Sequence, residues 1–119
     1  MTRGARKAGL SRRHRFAGRG AFAAALRSPR KLRGTSLLLH VAAGPARLSR
    51  LGLSVPKRQA PRAVDRNRLK RIAREAFRRH GVREIGLDLV FTAREKFTRG
   101  NEKAWRGEFI ALLDRAAAG

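Results

Sequence analysis

Residues 63–80 read AVDRNRLKRIAREAFRRH and carry seven Arg and Lys among eighteen positions. The apolar residues of this stretch nevertheless keep helical spacing. At about 100° per residue, Leu69, Ile72, Ala73, Ala76 and Phe77 share one stripe, and Asn67, Arg71, Arg74 and Arg78 lie opposite it. Arg66 and Lys70 fall toward one margin of the stripe, Arg68 and Arg79 toward the other. The spacing predicts a helix over residues 65 to about 80, with Gly81 as its stop. One face packs and the other presents rows of cations. Like charges four apart destabilise a free helix by a few tenths of a kcal/mol per pair, roughly. A face made only for solubility mixes signs, whereas Asp65 and Glu75 alone offset the cations here. An anionic partner reverses that cost. Arg suits phosphate because its planar fork pairs bidentately.

The rest of the chain has the same bias. Its 119 residues suit one domain, and its formal net charge is +22, from 30 Lys and Arg against 8 Asp and Glu. Residues 1–64 hold 16 basic residues and no acidic one, and every carboxylate lies between Asp65 and Asp114. Such a body repels itself at low salt, so a polyanion is the expected partner: nucleic acid first, an anionic membrane surface second. The chain has no Cys, which excludes disulfides and thiolate metal sites. No apolar run reaches the roughly 18 residues of a membrane span, and AFAAAL is too short for a signal core. The N-terminus has the Arg-rich, acid-free composition of a transit peptide, but the bias continues far beyond it. A cytoplasmic location is expected.

Around the central helix the chain divides into short elements. Residues 1–14 are expected to be a flexible basic arm and 15–119 a single domain. GRGAFAAALRS reads as a short helix with Phe22 and Leu26 on one face, ended by Ser28-Pro29. Residues 35–42 (TSLLLHVA) and 47–56 read as strands, the second alternating Leu51, Leu53 and Val55 with Gly52 and Ser54 until Pro56. LDLVFTA, residues 87–93, is a further strand, REKFTRGNEK a polar loop, and AWRGEFIALLDRAAA an amphipathic helix with Trp105, Phe109, Leu112 and Leu113 on one face. Helices and strands in this order make a two-layer α/β (α+β) domain.

Several of these segments carry a family resemblance. RNRLKRIAREAF resembles the signature of the bacterial ribonuclease P protein component, in which Arg-Asn-Arg opens the central helix and a Lys-Arg pair follows. RLGLSVPKR resembles the strand before that helix. LDLVFTAR resembles the family's fourth strand, with Asp88 and Arg94 in the matching places, and HRFAGRGAF resembles its N-terminal segment. The similarity covers about residues 10–115. It implies the fold αβββαβα, a two-layer sandwich with a left-handed βαβ crossover, although right-handed connections are the general rule. A third strand must then lie near one end of the segment read as two.

The resemblance implies an RNA-binding accessory subunit of an endoribonuclease that removes the 5′ leader from precursor tRNA. The partners it implies are the catalytic RNA, one protein per RNA, and precursor tRNA, with no membrane. The catalytic centre, and the Mg²⁺ it needs, would belong to the RNA, leaving the protein without a catalytic residue or dedicated metal site. Arg66, Asn67, Arg68, Lys70, Arg71 and Arg74 match the RNA-binding motif, and Lys57 and Arg58 are carried over as phosphate contacts. Phe22, Leu26, Leu38 and His40 match a leader-binding cleft between the central helix and the sheet, where bases stack on aromatic rings. Two departures stand out: KRQAPRAV replaces a glycine-containing turn, and Leu26 stands where the family often has an aromatic.

Three rivals share parts of this description. A ribosomal or other structural RNA-binding protein has the charge and size but need not have the Arg-Asn-Arg helix. A DNA-binding regulator calls for a helix-turn-helix pair, and none is evident. A protein-borne nuclease calls for a cluster of carboxylates, whereas His14, His40 and His80 lie in different elements and no motif pairs carboxylates closely.

Overall fold

The parallel pairing of two strands on either side of one helix organises the molecule. In the computed structural model, which describes residues 14–16 and 19–119, the elements are α1 (Arg19–Leu26), β1 (Lys31–Arg33), β2 (Leu37–Ala43), β3 (Arg50–Ser54), α2 (Ala63–Arg78), β4 (Leu87–Ala93) and α3 (Glu102–Ala118). The order is αβββαβα. The sheet runs β1-β2-β4-β3. β1 and β4 are each antiparallel to β2, while β3 lies parallel to β4 with α2 in the connection.

Side-chain alternation decides what each face of the sheet meets. Leu37, Leu39 and Val41 of β2, Leu89, Phe91 and Ala93 of β4, and Leu51 of β3 join one buried core. Leu69, Ile72, Ala73 and Phe77 of α2 and Trp105, Phe109, Leu112, Leu113 and Ala116 of α3 complete it. The expected stripes of both long helices are therefore present, with Ala76 at the margin. The other sheet face carries Leu38, His40 and Ala42 of β2, in register with Thr92, Val90 and Asp88 of β4. α1 packs across β4 and β2, burying its own Ala25; Phe22 and Leu26 are only half-buried.

The third strand is β1, just N-terminal to the segment expected to contain it. Its three residues include one apolar side chain, Leu32, which packs against the core. Ser28 does more than end α1: its hydroxyl donates to the carbonyl of Val41 and accepts from the amide of Arg30, which seats β1 beside β2. The strand expected from residue 47 begins at Arg50, because Arg47 has φ 58° in a tight turn after Pro45. The central helix stops at Arg78 rather than near His80. His80 is already extended, and its ring Nδ1 accepts from the amide of Val82, capping a short 3-10 turn.

Residues 94–103, expected to be a polar loop, contain a core residue. Phe97 is 3% exposed and meets Trp105 edge-on at 5.2 Å between ring centroids. Its amide donates to the carbonyl of Gln59, so the loop also holds the connection into α2. Glu108 on α3 makes a comparable tie: its carboxylate accepts from the amides of Ser36 and Leu37 at the turn between β1 and β2. Phe97→Ala should lower the unfolding free energy by about 3–5 kcal/mol. Urea denaturation measures this, and a loss under about 1 kcal/mol would mean that the loop does not pin the helix pair.

Candidate nucleic-acid interface

With its apolar stripe buried, α2 exposes two flanks, and the cations on each meet different surroundings. On the flank facing α3, Arg68 donates through Nε and Nη2 to Glu102, which also accepts from Arg106 at 2.9 Å. The Arg68 guanidinium, with Arg106 beside it, holds the Glu102 carboxyl below the usual carboxylate range. Arg78 and Arg79 both pair with Glu75 at 2.9 Å. Arg71 is exposed on this flank and lines a groove with Arg68, Ile72, Glu75, Glu102 and Arg106. Asn67 is exposed at the first turns.

The other flank leans over β3. Lys70 and Arg74, one helical turn apart, line a groove of about 190 Å³ with Ala73 and the strand residues Leu51, Gly52 and Leu53. Arg74 therefore does not project directly away from the sheet as the helical wheel places it; it is half-buried. Burial, and then the nearby Arg15, lower its pKa from the ordinary arginine value. Among the described residues, Lys70, Arg71 and Arg74 have no carboxylate within salt-bridge distance. Arg66 braces the backbone instead. Its Nη1 donates to the carbonyls of Ala60 and Pro61 at 2.9 and 2.8 Å, fixing the connection into α2. Lys57 and Arg58 are exposed in the turn that follows β3.

The four expected cleft residues do not share one site with α2. Leu38 and His40 point to the sheet face that α1 covers, opposite the face on which α2 packs. His40 is 6% exposed, and its Nε2 lies 3.1 Å from the hydroxyl of Thr92. Burial, and then the charge of Lys31, lower its pKa and favour the neutral ring. Leu26 is half-buried at the end of α1. Only Phe22 reaches the β3 margin, where it lies directly over Gly52. A Cβ at Gly52 would come within 2.7 Å of the Phe22 ring, so glycine is what lets the ring rest on the strand.

Three further residues belong to this corner and carried no sequence assignment. Phe16 meets Phe22 edge-on at 5.6 Å, and the Arg50 guanidinium sits 5.2 Å from the Phe16 centroid. Arg50 is aimed there by a bidentate pair with buried Asp88, at 2.8 and 2.9 Å. Arg15 forms a parallel bridge with Leu51 along the free edge of β3. His14, expected to close the flexible arm, is buried: its Nδ1 bonds the carbonyl of Ser49 at 2.8 Å and its ring meets Phe77. Residues 1–13 of that arm lie outside the described residues. The signal for Phe16 was present in HRFAGRGAF, whose two Phe residues are six apart across a glycine-rich link.

Among the described residues no three His, Asp or Glu side chains converge on a point that could hold a metal ion, and no helix is long and apolar enough to cross a membrane. The arrangement offers instead guanidinium and ammonium groups beside a backbone edge and an aromatic pair, the chemistry of phosphate and base contacts.

Comparison with known proteins places this geometry. The ribonuclease P family model matches residues 10–117. The ribonuclease P protein component of Nitrosomonas europaea is 38% identical over 96 residues, covering 81% of each chain. That of Azoarcus is 33% identical over 102 residues, covering 86% of this chain and 85% of the relative. The solved ribonuclease P protein of Thermotoga maritima superposes with a TM-score of 0.69 at 28% identity, covering 87% of this chain and 97% of that one. The protein from Staphylococcus aureus, at 21% identity, shares the fold with a TM-score of 0.65. A family match running nearly from end to end, on a fold whose central helix carries Arg-Asn-Arg and Lys-Arg, shows that the chain belongs to the ribonuclease P protein family.

Proposed function

We propose that the protein binds the RNA of ribonuclease P through α2 and holds the 5′ leader of precursor tRNA near β3. The leader is then cut from the tRNA by a metal-dependent centre in the RNA. The observation that carries this reading is the group Lys70, Arg71 and Arg74, cations without a carboxylate partner among the described residues, on a helix whose other face is buried. Membership of the family supplies the tRNA-processing context. Arg68 adds to the surface in a fixed pose, because Glu102 takes one edge of its guanidinium and leaves the rest to solvent. Lys57 and Arg58 extend the cationic line past the start of the helix. Mg²⁺ is held by the RNA, and the complex works in the cytoplasm with one protein per RNA.

The groove between α2 and β3 suits a single strand. Lys70 and Arg74 would take phosphates there, and Phe22 with Phe16, on the α1 side of β3, would offer ring edges and faces. Leader contact is assigned to Phe22 rather than to His40, which is too buried to stack on a base.

Three outcomes follow. Purified protein mixed with bacterial ribonuclease P RNA and precursor tRNA at low Mg²⁺ should stimulate cleavage, and nuclease-treated protein alone should cleave nothing; cleavage without RNA would overturn the assignment of chemistry. Arg71→Ala should leave thermal unfolding unchanged and reduce the slope of log K against log salt for the catalytic RNA by about one unit. An unchanged slope would mean that Arg71 is merely solvated. Phe22→Ala should weaken holoenzyme binding of precursor tRNA by about 1–3 kcal/mol and leave mature tRNA unaffected. Equal losses for both would remove Phe22 from the leader site.

A further inference from the structure

Among the described residues one acidic side chain is buried, Asp88, at 5% exposure, and it is the one carboxylate carried by a strand. Asp88 and Arg50 are register partners across β4 and β3, so both leave the sheet on the α1 side. They are joined side-on, with Nε and Nη2 of Arg50 donating to the two carboxylate oxygens at 2.8 and 2.9 Å. Burying a carboxylate is costly, and such a pair is often no better for stability than apolar side chains of the same volume. The pair is also lopsided. Asp88 keeps 7% of its side chain exposed and Arg50 20%, so the guanidinium is the member that reaches solvent.

A guanidinium carries five N–H donors, and Asp88 takes two of them. Among the described residues nothing accepts from the other three. Nη1 and Nη2 therefore keep a second, end-on fork, which fits two oxygens of a phosphodiester. One face of the same group lies against the Phe16 ring. With an edge and a face both held, the free fork has a single direction. It lies beside the aromatic pair, because the Phe16 and Phe22 rings crowd Gly52, two residues along β3 from Arg50 and on the same face.

On the reading of this corner as the leader site, we infer that Arg50 binds one phosphodiester of the 5′ leader, and that Asp88 is the positioning residue that aims it. A carboxylate beside an anion site is unfavourable as a charge, so its contribution there is direction. A guanidinium already immobile gives up little freedom when the phosphate arrives. The two roles have opposite signs. Removing the charge of Asp88 makes the protein more positive, which by itself strengthens every RNA contact. Losing the aim of Arg50 weakens the leader contact alone.

The test uses holoenzyme reconstituted with bacterial ribonuclease P RNA. Asp88→Asn, Arg50→Lys and the double variant are compared with the parent for affinity to precursor and mature tRNA, with Phe22→Ala as the reference. Each single variant should lose about tenfold in precursor affinity, the worth of one charge-assisted contact, and bind mature tRNA as the parent does. The double variant should lose no more than either single one, because Asp88 acts through Arg50. A neutral methylphosphonate at one leader linkage should weaken the parent by a similar factor and change either single variant little. Asp88→Asn holoenzyme that binds precursor tRNA as tightly as the parent, or more tightly, overturns the positioning role. Equal losses for both tRNAs, additive losses in the double variant, or a leader with no sensitive linkage overturn the phosphate contact. Arg50→Lys keeps an ion pair with Asp88, so if Asp88→Asn fails to assemble, Arg50→Lys decides: a loss confined to precursor tRNA supports the contact and an unchanged affinity overturns it. If Phe22→Ala separates the two tRNAs and the Arg50 variant does not, the leader site stands and Arg50 is only structural. If Phe22→Ala does not separate them either, the leader reading of this corner fails and takes the Arg50 contact with it.

Discussion

Everything on the surface of this protein depends on how α2 is pinned. β3 and β4 are parallel neighbours, so the chain between them must leave the sheet, run back along it and return. Leu69, Ile72, Ala73 and Phe77 anchor that return run in the core. Because four side chains spanning more than two turns are buried, the helix cannot roll, and each cation has a fixed azimuth. A helix with the same charge but a weaker stripe would present the same residues without a defined order. The apolar stripe is thus what converts a composition into a surface.

Around that helix the protein's few carboxylates act as spacers. Glu102 takes two guanidiniums and Glu75 takes two more, which lets several Arg residues stand close together without the full cost of their repulsion. The cations left over are separated into groups: Lys70 and Arg74 beside β3, and Arg71 toward α3. Exposed pairs of this kind contribute little to stability, because solvent screens them. Their effect is on position, since a guanidinium tied along one edge keeps its remaining donors aimed outward.

How much of this was legible in the sequence depends on the range of the interactions involved. α2, β4 and α3 were readable because each repeats its pattern over seven residues or more; β4 kept its expected bounds, and the ends of α2 and α3 shifted only slightly. β1 was not, because one Leu among three residues gives no period, and its pairing depends on Ser28 reaching Val41. Phe97 was hidden by charged neighbours on both sides. For the site, the helical wheel ordered the α2 cations correctly around the axis but could not show that β3 rises beside Arg74. Likewise, strand alternation put Leu38 and His40 on one face without revealing that α1 covers it. Gly52 looked like a gap in the alternation of β3, and only the Phe22 ring resting there explains it.

The bridge between Arg15 and Leu51 has a consequence for the protein before it meets any partner. β3 is the outer strand on its side of the sheet, and an uncovered outer strand offers amides and carbonyls to any other chain as a template for strand addition. His14 and Phe16, held by Ser49, Phe77 and Phe22 on either side of that bridge, fasten a short strip of backbone over the exposed ladder. The residues that fill the corner near the groove thereby also guard the sheet against aggregation. A chain trimmed past residue 16 would lose that shield and with it part of its resistance to edge-to-edge association.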